Sequence, residues 1–233
     1  MTRHALQASA IALLLTALNG CVAVPAGQTD LSQAYSNAIY KAAVFDQRNV
    51  DAHPLLRLKP GLETVITWTT KATADKYYPI GPATVGVDVW VTVVPQVRDL
   101  CRDFPTDPNA LRLRLQQLLG LPAVPEDRMF VTLQVPASIL FRPCPDPDPS
   151  KAACTWNFPA AATTQYKAWF AEQMVKRYRV APDGYPWTRL GYTYDWAPDG
   201  ARSSVSEFVI PKGSAVEVIN KLPSETYCHH PPS

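Results

Sequence analysis

The chain has 233 residues, a formal charge of +2, 18% charged and 47% hydrophobic residues. That length and balance suit one globular domain and give no basic footprint for nucleic acid. Proline is the outlier at 23 residues, about twice the usual ~5%; it gathers in connections such as Pro79, Pro82, Pro122, Pro125 and Pro143 to Pro149, which predicts many stiff loops and excludes a disordered chain.

Arg3 and His4 form a short basic head, Ala5 to Leu18 an uncharged apolar run, and Asn19-Gly20 a small-residue step before Cys21. This is the layout of a secretory signal peptide. The apolar run is shorter than the roughly twenty residues a bilayer-spanning helix needs, and no later stretch approaches that length. Leu18 to Cys21 resembles the lipobox of bacterial lipoproteins, whose pattern is Leu, a small or hydroxyl residue, Gly or Ala, then Cys; Asn19 departs from it. The resemblance covers these four residues only. It implies that residues 1–20 are a signal peptide and that Cys21 carries thioether-linked diacylglycerol and an N-acyl chain such as palmitate, which together make a stable anchor. The plainer alternative is an ordinary signal peptide cut nearby, with Cys21 a spare thiol. Val22 in place of Asp points, on the same resemblance, to the outer membrane of a Gram-negative envelope, facing the periplasm. Residues 21–29 then form the lipidated Cys and a tether, and 30–233 a single domain.

With Cys21 set aside for lipid, Cys101, Cys144, Cys154 and Cys228 remain, an even number that allows three pairings in an oxidising compartment. Cys144 and Cys154 flank the proline-rich loop, which favours a local bridge and leaves Cys101 for Cys228. No CxxC occurs, and the histidines after the leader are His53, His229 and His230, all expected to be solvated, so neither a metal nor another cofactor is expected.

Asp30 is expected to start a helix, with Leu31, Ala34, Tyr35, Ala38, Ile39 and Ala42 at helical spacing, Gln33 in a near capping-box position and an end near Phe45. Glu63 to Thr70 is β-branched strand chemistry. Val85, Val87, Val89, Val91 and Val93 alternate and predict one central strand covered by helices on one face. Asp107-Pro108 is a helix start, with Leu111, Leu115, Leu118 and Leu119 on one face and Arg112 and Arg114 solvated. Met129 to Val135 predicts a strand that Ile139 to Phe141 extends, and Pro143 to Pro149 an exposed loop. Thr163 caps a helix with an aromatic stripe: Tyr166, Trp169, Phe170, Met174 and Tyr178. Strands are expected at Thr188–Trp196, Val205–Ile210 and Ala215–Ile219, the last two joined as a hairpin through Pro211 to Ser214. The order predicts an α+β domain, a mostly antiparallel sheet of about six strands with about three helices packed on it.

The stretch from Tyr185 to Trp196 is the most distinctive for function. Trp187, Tyr192, Tyr194 and Trp196 offer either an aromatic platform for a glycan or peptide, or core beneath the third helix. Asp195 and Glu207, expected on neighbouring strands, are the one carboxylate pair that could flank a sugar bond. Asp146, Asp148 and Ser150 mimic the start of a calcium loop, but Lys151 replaces the needed Gly and Asn157 the bidentate Glu. There is no GxSxG, SxxK, GxxxxGK[ST] or GxGxxG. The expectation is a non-enzymatic envelope lipoprotein that binds a periplasmic or surface protein, or a glycan, an immunity or inhibitor protein being one version. The alternative is an enzyme acting on peptidoglycan or other envelope glycans.

Overall fold

The computed structural model describes residues 26–44, 54–198 and 204–230; Cys21 and His53 lie outside them. Six strands form one antiparallel sheet in the order β2-β6-β4-β1-β3-β5. They are β1 (Leu62–Thr70), β2 (Gly81–Thr84), β3 (Val89–Val93), β4 (Arg128–Pro136), β5 (Glu207–Ile210) and β6 (Ala215–Pro223). Six α-helices accompany them among the described residues: α1 (Ala26–Ala43), α2 (Lys71–Tyr77), α3 (Gln96–Cys101), α4 (Pro108–Leu118), α5 (Thr164–Arg177) and α6 (Ser224–His229). The class is α+β as expected, with twice the helices, because α2, α3 and α6 are too short to show a periodic apolar stripe. None of the described helices is long and apolar enough to cross a membrane.

Local chemistry explains the long elements. Asp107 Oδ1 accepts from the N–H groups of Asn109 and Ala110 at the start of α4, with Pro108 as the first helical residue; this satisfies donors that the helix leaves orphaned. Thr163 does the same for Tyr166 in α5. Helix α1 starts four residues before Asp30, so that residue lies inside the helix, and Gln33 donates to Asn37 instead of closing a cap.

The valine run is not one strand. Val85, Val89, Val91 and Val93 are buried, but Val87 is 65% exposed, because the chain turns a corner between β2 and β3. Opposite this corner, residues 211–214 turn between β5 and β6. Val85 donates to Ser214 O (3.0 Å), Gly213 to Val85 O (2.8 Å), and Lys212 N–H to Asp88 Oδ1 (2.8 Å). Residues 81–93 and 207–223 therefore make one bent two-stranded ribbon. Its β6 half pairs with β4 and its β3 half with β1. The expected β5–β6 hairpin is thus corrected: the two do not pair but are successive halves of one bent arm, and Gly213, at φ +86°, takes the bend.

One face of the sheet buries Val65, Val91, Val93, Val131, Leu133, Phe208, Ile210 and Val218 against Leu58, Ala74 and Tyr78. The other carries Ile66, Trp68 and Phe130 under Leu111, Leu115 and Leu118 of α4, Val97 of α3 and Tyr227 of α6. Disulfides join Cys101 to Cys228, tying α3 to α6 on this face, and Cys144 to Cys154 across the proline-rich loop.

The first half of that loop, Pro143 to Asp146, is buried and Pro147 to Pro149 half-buried, not exposed as expected, because the loop wraps the Arg142 side chain, which has no solvent exposure. Its guanidinium donates to the carbonyls of Leu56 (2.7 Å), Lys151 (3.1 Å), Pro149 (3.2 Å) and Gly191 (3.4 Å) and lies over the Phe208 ring. Thr188–Trp196 is irregular where a strand was expected, with a single bridge from Tyr192 to Ser206. Arg189 and Gly191 both take positive φ, and a Cβ on Gly191 would stand 2.6 Å from Arg142 Cδ.

Candidate functional site

The residues of the 185–196 stretch are set apart from one another. Trp187 is buried against Phe170 and Trp90, with ring centroids 4.8 and 5.9 Å away; this is the core role beneath the third helix. Trp196 is buried against Tyr35 of α1 and donates to Leu121 O. Tyr192 is buried and Tyr194 half-buried. Burial raises the Tyr192 hydroxyl to about 12. Tyr192, Tyr194, Asp195 and Trp196 line a depression of about 740 Å³ against α1. Its lining includes Val44, Pro198 and Ser204, which stand next to segments 45–53 and 199–203.

Asp195 is held in a two-pronged ion pair by Arg114, at 2.6 and 3.1 Å, and also accepts from Ala197 N–H. Arg114 is therefore not solvated as expected: it is the counter-ion of a carboxylate whose side chain is 1% exposed. Burial raises the Asp195 pKa, and the bonds from Arg114 and Ala197 pull it back in part. Both carboxylate oxygens are engaged, so this group has a structural partner and little capacity left for a substrate.

Glu207 lies elsewhere. Strands β1 and β3 pair only at Val65–Val93 and Ile66–Thr92, whereas β1 pairs with β4 over its whole length. Beyond Ile66 they part, and Thr67, Trp68 and Thr69 on one side face Val89, Trp90 and Val91 on the other across a cleft of about 270 Å³. The ribbon corner causes the parting: the bend at Val87-Asp88 swings the start of β3 away from the end of β1. Glu207 opposes Thr92 in the β3–β5 register, so it enters the cleft from the next strand. Sequence reasoning paired it with Asp195; the fold places the two in different cavities.

The cleft is short of internal partners. Thr92 Oγ1 and Trp90 Nε1 are buried with no hydrogen-bond partner, an uncommon state for polar atoms in a folded protein. Burial pushes the Glu207 carboxyl up to about 8, with the Arg177 charge offsetting this only partly. Arg177 itself lies over the Trp90 and Tyr185 rings, 4.7 and 5.1 Å from their centroids, and donates to Gln173. Asp88, at the rim, accepts from Trp169 Nε1 (2.7 Å) and from Lys212 N–H (2.8 Å).

The remaining sequence candidates are engaged locally. Asp146 is ion-paired to Lys151, and Asp148 accepts from Ser150. His230 is exposed, but His229 lies on α6, half-buried, with Nε2 unpartnered; it is less solvated than a tail residue would be. Among the described residues there is no cluster of three groups able to hold a metal ion. The signal for the cleft was present at Glu207, a lone acid flanked by Val205, Phe208, Val209 and Ile210; the parting of β1 from β3 was not legible.

Comparison with protein families, with curated proteins and with solved structures finds no match to this chain.

Proposed function

We propose that this chain is an exported bacterial lipoprotein, anchored through Cys21 in the outer membrane and facing the periplasm, whose disulfide-stapled domain binds another envelope component in the cleft between β1 and β3. The compartment is supported by the two disulfides, which persist outside the reducing cytosol, and by the lipobox resemblance. The binding role rests on one observation: the cleft walls carry buried polar atoms, Thr92 Oγ1 and Trp90 Nε1, without partners. Buried unpaired groups cost about 1–3 kcal/mol each, and a ligand that satisfies them recovers part of that.

Two experiments test this. Mass spectrometry of native material should find acyl chains on Cys21; an unmodified amino terminus with four reduced thiols would overturn the compartment. Immobilised domain should retain a specific component of envelope extracts and lose it on Val87→Arg, a rim substitution that leaves the core untouched. Retention unaffected by that change would remove the cleft as the site. An immunity or inhibitor role is one version, tested by whether co-expression protects against a periplasmic toxin.

A second reading, an enzyme acting on envelope glycans, is favoured by the Glu207 carboxyl, whose pKa of about 8 suits a general acid at neutral pH. Glycan release from wall fragments that falls at least a hundredfold on Glu207→Gln would establish it; no release by the wild-type protein would end it.

A further inference from the structure

The residues lining the β1–β3 cleft include two carboxylates, Asp88 and Glu207, and no lysine or arginine. The two differ in what is left to them. Asp88 sits at the rim, each oxygen already accepting one N–H. Glu207 accepts no hydrogen bond from any described residue, and the charge acting on it, Arg177 of α5, is stacked between Trp90 and Tyr185 and forms no ion pair with it. Of the other elements around the cleft, the turn after α4 contributes Leu119 and Leu121, β1 contributes Thr67 and Trp68, and β4 contributes Phe130; Arg128 of β4 lies over the outer part of the Trp68 wall, 5.3 Å from the ring centroid, but is ion-paired to Glu126. A carboxylate without donors, in a pocket walled by indole and aliphatic side chains, is half of an ion pair. Aromatic walls also favour a cation over a neutral guest.

We infer that the cleft receives an alkylammonium group, its head against the Glu207 carboxylate and its methylene stem along Trp90, Leu119 and Leu121. This rests on the cleft being the binding site. A cavity of about 270 Å³ sits just below the ~300–1,000 Å³ of pockets for drug-sized ligands, which suits a short aliphatic chain with a compact head. The same chemistry reaches the cleft as a lysine side chain of a partner polypeptide or as a free aliphatic amine.

Ammonium binding requires an ionised Glu207, so a carboxyl that holds its proton up to about pH 8 must release it when the ligand arrives. Calorimetry with 1-aminobutane in buffers of different protonation heat should show close to one proton released per ligand at pH 7, and almost none at pH 9. Apparent affinity should rise about tenfold between those values. Nα-acetyl-lysine amide as a second probe separates the sources: tighter binding than 1-aminobutane assigns a polypeptide, equal or weaker binding a free amine. Glu207→Gln should abolish the proton release and weaken binding at least tenfold.

Two outcomes overturn the inference, and they differ in what they leave standing. If butan-1-ol, the neutral isostere, binds as tightly and perturbs the Trp68 and Trp90 indole signals equally, the cleft remains a binding site and the ammonium assignment falls. If neither probe perturbs those indoles, the cleft reading falls with it.

Discussion

Two ionisable side chains inside this molecule, Arg142 and Glu207, are accommodated in opposite ways. The Arg142 guanidinium is surrounded by four backbone carbonyls and a Phe208 ring; only its Nε lacks a partner. Burial lowers its pKa to about 10, Asp148 and Asp146 resisting, so it stays charged at neutral pH. Glu207 sits on the neighbouring strand position to Phe208, on the other face of the sheet, and accepts nothing. The difference separates structure from function. An ionisable group whose bonding capacity is filled by its own chain organises that chain; one left unfilled beside a cavity marks where another molecule completes it.

The contrast predicts effects of different size and sign. Arg142→Ala should be the most damaging, at about 4 kcal/mol or more, because it strands carbonyls from three loop segments; chemical denaturation measures it. Gly191→Ala should cost about 3 kcal/mol, combining positive φ with a Cβ 2.6 Å from Arg142 Cδ; a loss below about 1 kcal/mol would mean that the knot around Arg142 is slack. Replacing both Cys144 and Cys154 by alanine should cost about 2.5 kcal/mol, the entropy of a short closed loop, and should raise proteolytic nicking within 143–153.

Glu207→Gln should behave in the opposite sense. Its folded pKa is raised to about 8 from an ordinary 4.5, so the folded state holds a proton that the unfolded chain loses. The favourable term is complete below about pH 4.5 and is lost as pH rises through about 8. Wild-type stability should therefore fall across that window. Glu207→Gln, which has no proton to lose, should be more stable than wild type by about 2 kcal/mol at pH 9, less than the ~5 kcal/mol of the full shift because Glu207 is only half-buried, and nearly equal to it at pH 5. Thermal melts at the two pH values measure this, and equal stabilities at pH 9 would mean that the fold leaves the Glu207 carboxyl solvated as in the unfolded chain.

The same contrast explains what the amino-acid pattern could convey. Strand β1, helix α4 with its Asp107 cap, β4 and α5 with its Thr163 cap are local: their residues carry period and punctuation within one segment. The pairing of Cys144 with Cys154 was legible because both border one loop. The ribbon corner was not, since a valine at every second position reads as one strand until Gly213 is seen to donate to Val85 O and Lys212 N–H to Asp88 across it. Nor was Arg142, an isolated cation between Phe141 and Pro143 whose partners come from residues 56, 149, 151 and 191. Asp195 and Glu207 were both visible as acids, yet which had a partner depended on Arg114, 81 residues away, and on the parting of two strands. Local chemistry is written in sequence; whether a polar atom is satisfied is decided by the tertiary fold.

The most direct test is the titration of the Glu207 side-chain carboxyl followed by ¹³C NMR, with and without 1-aminobutane. A midpoint near 8 in the free protein, moving down by a unit or more when the amine is present, is the predicted result. A midpoint near 4.5 that the amine leaves unmoved would contradict the cleft as a site waiting for a cation.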